Sequence, residues 1–375
     1  MIHLARTDTS ILAHWWWTVD RWTLAALAAL MGLGAILILT VSPAAAARIP
    51  GLEDFQLARR QIAFLVMALA TVIGVSLLEP RAVRRVALVG LGVSVVLLVL
   101  TLAFGSEIKG ATRWLGLGGL SIQPSEFAKP FFAVSAAWLL TEDRKGEGFP
   151  GTWIATGAWL TLAGLLILQP DFGQTFVVGA IWGTQLFLAG LSMLWVGILV
   201  AGGLFAVVAA YFALPHVAAR IDGFLDPGVG DSYQIERSMQ AFQNGGIFGR
   251  GPGEGRIKAL LPDAHSDFIF AVAGEELGVL VCLAIVGLFA FIVLRGFARV
   301  LHERNLFVLL AGAGLLTQFG VQALVNMGSA LRLIPTKGMT LPFISYGGSS
   351  LLALAIGMGM VLALTRRRPG AGGPP

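Results

Sequence analysis

Charge is scarce in this chain. Asp, Glu, Lys and Arg make up 13% of its 375 residues, against roughly 25% in an average soluble domain. A soluble chain of this length folds as two or three domains with abundant polar surface, and so few charges cannot solvate such a surface. A soluble enzyme, a disordered protein and a nucleic-acid binder are all disfavoured. Cysteine is nearly absent: Cys282 stands alone, which excludes an internal disulfide framework. Also missing are an HExxH pattern, a cysteine cluster, a Ser-His-Asp order and the Gly-Lys-Ser/Thr ending of a phosphate loop. No sequence repeat supports an inverted-repeat transporter. The net charge of +5 is explained as well by basic loops against anionic lipid as by nucleic acid.

Apolar sequence is abundant instead. Hydrophobic residues reach 56%, and there are 48 glycines, a residue more frequent in membrane helices than in soluble ones. A helical span needs roughly 20 mostly apolar residues. The segments 22–42, 60–79, 84–104, 124–141, 152–169, 173–190, 192–214, 267–294, 306–327 and 343–365 fit that pattern. The expected fold is all-α: one polytopic membrane domain, 1–375, with about ten transmembrane helices. Residues 215–266 form a long extracytoplasmic loop between the seventh and eighth spans, and 366–375 a disordered cytoplasmic tail. The first span ends at Pro43 and Ala44 to Ala47, but its apolar core is too long for a signal peptide and reads as an uncleaved anchor. The basic runs Arg81–Arg85 and Arg366–Arg368 place both termini in the cytoplasm. Trp15, Trp16, Trp17 and Trp22 then form an aromatic belt at the inner interface.

Ionisable groups inside a membrane are functional candidates, and on this map the unusual ones share the outer side. Glu126 and Lys129, three residues apart, share a helix face, with Arg113 and Trp114 in the loop before them. The pair is either a mutually neutralising structural element or part of a site. Arg113 either snorkels or contributes to the site, and Trp114 is an interface anchor or a site wall. Asp171, after Pro170, reads as a turn or helix cap before it reads as catalytic. His265 and Asp267 open the eighth span, with Glu275 and Glu276 about 12 Å further in at 1.5 Å per residue. Asp267 alone fits a helix cap, and Glu275 or Glu276 fits a hydrogen bond to a neighbouring helix. Arg332 and Lys337 precede the tenth span, while the cytoplasmic side shows only basic flanks. The convergence on one leaflet says more than any member: it indicates a polar cavity opening outward.

Within the long loop, 231–242 reads as a short amphipathic helix lying on the membrane. The glycine-rich run 244–255 is either a tight flexible turn or a backbone that approaches a phosphorylated headgroup closely, with Arg250, Arg256 and Lys258 nearby. His265-x-Asp267 is compatible with a divalent cation, but two residues are a weak metal signal; no cofactor is otherwise indicated. An outward site has no access to cytoplasmic nucleotides, so chemistry there needs a pre-activated substrate. A lipid-linked pyrophosphate sugar meets that need. A carboxylate accepts the proton of the attacking hydroxyl, and cations stabilise the departing pyrophosphate. A transporter or flippase would use a similar cavity, and composition does not choose between them.

Several motifs resemble the SEDS family (shape, elongation, division and sporulation). They are Arg113-Trp114, Gln123-Pro-Ser-Glu-Phe-Ala-Lys, Gln169-Pro-Asp-Phe-Gly, Arg220-Ile-Asp-Gly-Phe-Leu-Asp-Pro, Leu261-Pro-Asp-Ala-His-Ser-Asp-Phe-Ile-Phe-Ala, Gly274-Glu-Glu-Leu-Gly and Pro335-Thr-Lys-Gly-Met-Thr-Leu-Pro-Phe-Ile-Ser-Tyr-Gly-Gly-Ser-Ser. The match runs from about Leu24 to Arg366. Ser266 departs from the threonine common in the family. The Gly274 and Pro335 motifs are more similar to the division branch than to the elongation branch. The resemblance implies ten spans and a peptidoglycan glycosyltransferase that polymerises lipid II and releases undecaprenyl pyrophosphate. It further implies a class B penicillin-binding protein (an FtsI-type transpeptidase) as partner, other divisome proteins, and a place in the bacterial plasma membrane at the septum. It assigns Asp267 as the essential aspartate and Glu126–Lys129 as the buried pair beside the cavity. Lys129, Arg113 and Lys337 are then the candidates for phosphate contacts.

Overall fold

The structure, a computed structural model, describes residues 10–48, 51, 53–108, 111–117, 120–146, 148–213, 215–225, 233–335 and 338–366. Among these, thirteen helices dominate: α1 (Ile11–Thr18), α2 (Arg21–Ala46), α3 (Gln56–Ser76), α4 (Pro80–Phe104), α5 (Pro124–Asp143), α6 (Gly151–Leu168), α7 (Phe172–Leu188), α8 (Met193–Ala213), α9 (Pro215–Leu225), α10 (Tyr233–Gly245), α11 (Ile269–Val300), α12 (Leu306–Ala330) and α13 (Gly348–Leu364). Ten of them coincide with the ten apolar segments of the sequence. Seven (α2, α3, α4, α6, α8, α11 and α12) are long and apolar enough to cross a membrane. The helix α5 carries Glu126, Lys129, Glu142 and Asp143, and α7 and α13 have 17 residues each. The chain is a multi-pass, all-α membrane protein.

Helix starts follow local chemistry. Pro80 and Pro124 occupy first-turn positions, where the missing N–H costs nothing. Asp20, Asp171 and Asn305 accept backbone N–H groups at the starts of α2, α7 and α12. The helix α4 therefore begins at Pro80, ahead of its basic flank, and α3 begins at Gln56. The last helix begins late, at Gly348, because 341–346 is a turn.

Contacts fix the direction of the helices. Trp15 Nε1 donates to Ser76 Oγ at 2.8 Å, tying the start of the chain to the end of α3. Gly348 abuts Phe64 while Gly359 abuts Val75, so α13 runs parallel to α3 and ends beside that same end. The first and last described helices thus finish at one end of the bundle. At the opposite end lie the starts of α5, α7, α11 and α13, and all the connections treated below.

Two connections are more ordered than the sequence indicates. The loop before α5 holds a three-stranded antiparallel sheet: β1 (Ser106–Ile108), β2 (Ala111–Leu117) and β3 (Leu120–Ile122). Its strands are short, and its signal is the Gly118-Gly119 pair between β2 and β3; those two residues lie outside the described ones. The segment 215–266 carries α9, α10 and a short 3-10 helix, Ile257–Ala259. The helix α10 is amphipathic as expected, but it packs on α11, burying Ile235, Ser238, Ala241 and Gly245, and Ser238 Oγ donates to the Ala330 carbonyl at 2.6 Å. Its buried stripe packs against α11 and α12. Of the tail, only Arg366 is described.

Candidate active site

Asp267 lies in a turn just before α11. Asp263, with φ +53, starts that turn; its carbonyl accepts the N–H groups of Ser266 and Asp267, both at 3.1 Å. Asp267 is half-buried. Its Oδ2 stands over Gly338 in the segment leading to α13: a β-carbon at Gly338 would lie 3.5 Å from it. Gly338 has φ +57, so glycine here meets both a left-handed backbone and a close carboxylate. The ring of His265 meets Tyr346 edge-on at 5.6 Å.

Behind this turn, on α5, sits the predicted pair. Lys129 is fully buried, and its Nζ donates to Glu126 Oε2 at 2.9 Å and to Gln322 Oε1 at 3.0 Å. Gln174 Nε2, from α7, donates to Glu126 Oε1. Gln322 Nε2 in turn lies 3.3 Å from Thr340 Oγ1 and 3.2 Å from Ser350 Oγ, which pair with each other at 2.7 Å. A buried ion pair is tolerable when its remaining lone pairs and protons are satisfied, and here amides from α7 and α12 satisfy them. The network joins α5, α7, α12 and the start of α13.

Arg113 and Trp114 lie on β2 and, being adjacent in a strand, point to opposite faces. Arg113 donates Nε to the Gln169 carbonyl at 3.3 Å and Nη2 to the Pro170 carbonyl, and lies 3.6 Å from Asp171 Oδ2. Its guanidinium holds the carbonyl end of α6 and the turn after it. Asp171 caps α7 through the Gln174 N–H at 3.4 Å, as a residue after proline was expected to do. Burial pushes its carboxyl above the ordinary aspartate range, and the Arg113 charge works against that shift.

Glu275 and Glu276 hold the glycine-rich loop and the turn after it. Glu275 Oε1 accepts the N–H groups of Arg256 and Ile257 at 2.8 and 2.9 Å and the Asn244 amide at 2.7 Å; Oε2 accepts the Lys258 N–H at 3.1 Å. Glu276 pairs with Lys258. Two residues on, Gly278 breaks α11 with φ 81 and ψ 176. The backbone groups released by the break are taken by the glycine-rich run: Arg250 N and Gly251 N donate to the Glu275 and Glu276 carbonyls, while Val279 N and Leu280 N donate to those of Gly246 and Ile247. Of the two readings of those glycines, a tight turn or a backbone approaching a headgroup, the structure shows a backbone that closely approaches the chain's own helix break. Outside it, Asn244, Arg250, Glu254 and Arg256 line an open cup of about 280 Å³.

Of the ten candidate residues, the structure gathers nine at one end of the bundle; Lys337 lies outside the described residues. Among the described residues no third carboxylate, imidazole or thiolate joins His265 and Asp267. Sequence reasoning missed Gln174, Gln322, Asn326, Thr340 and Ser345, neutral groups that no charge count reveals. It also read the opposite end as plain basic flanks. There Asp20 is buried, with its carboxylate held by Arg295 at 2.8 and 3.0 Å, by Arg299 at 3.0 Å and by Thr23 at 2.8 Å.

Residues 21–369 match the model of the "Cell cycle protein" family that takes in FtsW, RodA and SpoVE. The chain is 46% identical over 371 residues to a probable peptidoglycan glycosyltransferase FtsW of Caulobacter vibrioides, covering 98% of this chain and 95% of that one. It is 36% identical to the Escherichia coli O6:H1 protein of the same name, covering 89% and 83%. A solved peptidoglycan synthase complex, described as coordinating polymerization and crosslinking, contains a chain that superposes with a TM-score of 0.76 at 31% identity, covering 92% and 97%. The rod shape determining protein RodA of Thermus thermophilus superposes at 0.69 with 30% identity, covering 93% and 97%.

Proposed function

Because this chain belongs to the cell cycle protein family of FtsW, RodA and SpoVE, we propose that it is a peptidoglycan glycosyltransferase that polymerises lipid II during cell division. The observation that carries this reading is the half-buried Asp267 carboxylate standing over the glycine strap at Gly338, with the Glu126–Lys129 pair linked to the same strap through Gln322 and Thr340. The acceptor's sugar hydroxyl attacks the anomeric carbon of the donor. Asp267 accepts the hydroxyl proton as general base, the glycosidic bond forms, and the bond to undecaprenyl pyrophosphate breaks. Lys129 donates to Glu126 and Gln322, and Arg113 donates to the Gln169 and Pro170 carbonyls, so we place them in support of the site. Lys337, next to Gly338 in the sequence, is the candidate cation for the leaving pyrophosphate.

The same reading places the site on the extracytoplasmic face of a bacterial plasma membrane at the septum, with both termini cytoplasmic. Its partners are an FtsI-type class B transpeptidase and other divisome proteins. The test uses the full-length chain with its transpeptidase partner and purified lipid II. Glycan strands form with the native protein, and Asp267→Ala abolishes them while still folding and binding lipid II. Normal polymer yield from Asp267→Ala sinks the base assignment. Transfer of lipid II across vesicles without polymer replaces the enzyme by a flippase.

A further inference from the structure

The Asp267 turn is anchored in an unusual way. Its three successive carbonyls are each claimed from the α12–α13 region. The His265 carbonyl accepts the Tyr346 N–H at 2.9 Å, the Ser266 carbonyl the Ser345 hydroxyl at 2.5 Å, and the Asp267 carbonyl the Asn326 side-chain amide at 2.9 Å. Asn326 comes from α12, 2% exposed, and the same nitrogen also donates to the Met339 carbonyl at 2.6 Å. Two carbonyl oxygens at one end of the side chain identify that end as the NH₂ group, because only it can donate to both. Asn326 therefore joins the base's own peptide to the strap beneath its carboxylate. One turn earlier on α12, Gln322 joins the next strap residue, Thr340, to Lys129.

We propose that Asn326 is the positioning residue for Asp267: it fixes the height of the carboxylate over Gly338, and with Gln322 makes α12 the rigid element on which both halves of the site are registered. The proposal rests on Asp267 being the general base. The chemistry favours asparagine specifically. Aspartate would set a carboxylate against two carbonyl oxygens, and alanine would leave both carbonyls buried without this donor. A base displaced by about 1 Å loses on the order of 100-fold in rate without losing its substrate.

The experiment measures lipid II polymerisation by the full-length chain with its transpeptidase partner. The rate is expressed per lipid II-binding site, since misfolding removes sites while mispositioning slows each one. Asn326→Ala is expected to lower kcat per site about 100-fold with KM within about twofold of native. A kcat per site within twofold of native, or a loss of rate matched by an equal loss of sites, overturns the proposal. Should Asn326→Ala not fold, Ser345→Ala decides by the same criteria, with about a tenfold fall expected from removing the neighbouring anchor. Asp267→Ala separates the two ideas. If it turns over normally, the base assignment fails and this proposal with it; if it is inactive while Asn326→Ala is fast, only the positioning role fails.

Discussion

Lys129 is fully buried, and its ammonium meets one carboxylate and one amide oxygen. Removing the ammonium alone leaves the buried Glu126 carboxyl without its cation, beside the Gln174 amide. Breaking a buried pair in this way costs roughly 3–5 kcal/mol. Lys129→Met should therefore lower the melting temperature of the purified protein by many degrees, and adding Glu126→Gln should recover much of the loss. A melting temperature for the single variant within a degree of native would show that the pair is not what holds this layer. At this scale the sequence was legible where charge stood out: the three-residue spacing of Glu126 and Lys129 on an apolar helix is visible without a structure. The amides that complete the pair are not. Gln174 and Gln322 are unremarkable in composition, and nothing local says that side chains 193 residues apart form a hydrogen bond.

Among the elements, α11 carries the most information. Its sequence reads as one apolar run, and its length was expected to be continuous. The break at Gly278 instead turns the glycine-rich loop into the helix's hydrogen-bond partner. The backbone conformation at Gly278, φ 81 with ψ 176, belongs to a region open essentially only to glycine. A β-carbon there would also lie 2.4 Å from both the Gly249 nitrogen and the Ile247 carbonyl oxygen. Gly278→Ala is expected to cost at least about 3 kcal/mol and to detach the 246–251 loop, seen as faster amide hydrogen exchange across it. Exchange unchanged from native would contradict that coupling. Helix positions followed from apolar length, so the helices were readable to within a few residues at most ends. The sheet at 106–122 and the docking of α10 were not readable, because short strands and an amphipathic face each state a tendency without naming the surface they pair with.

Among the described residues the buried ion pairs fall at the two ends of the bundle, and the end opposite the candidate site offers a test that leaves the site untouched. Asp20 joins the start of α2 to the last turns of α11 through Arg295 and Arg299. Burial opposes its ionisation, but the hydrogen bonds from Arg295 and Thr23 and the charges of Arg299 and Arg295 more than offset this, and its carboxyl lies below the ordinary aspartate value of 3.8. A carboxyl held below its unfolded value contributes stability that is fully present above the unfolded pKa and is lost as pH falls through the folded one. Asp20→Asn keeps a good helix cap at that position and removes only the charge. The variant should melt below the native protein at pH 7, and the gap should hold down to about pH 4 and close as the pH falls further. A gap independent of pH would mean that geometry, not ionisation, fastens this end. In either outcome glycan synthesis per lipid II-binding site should stay near the native rate at pH 7, because the lock and the Asp267 turn sit at opposite ends of α11, 28 residues apart between Asp267 and Arg295.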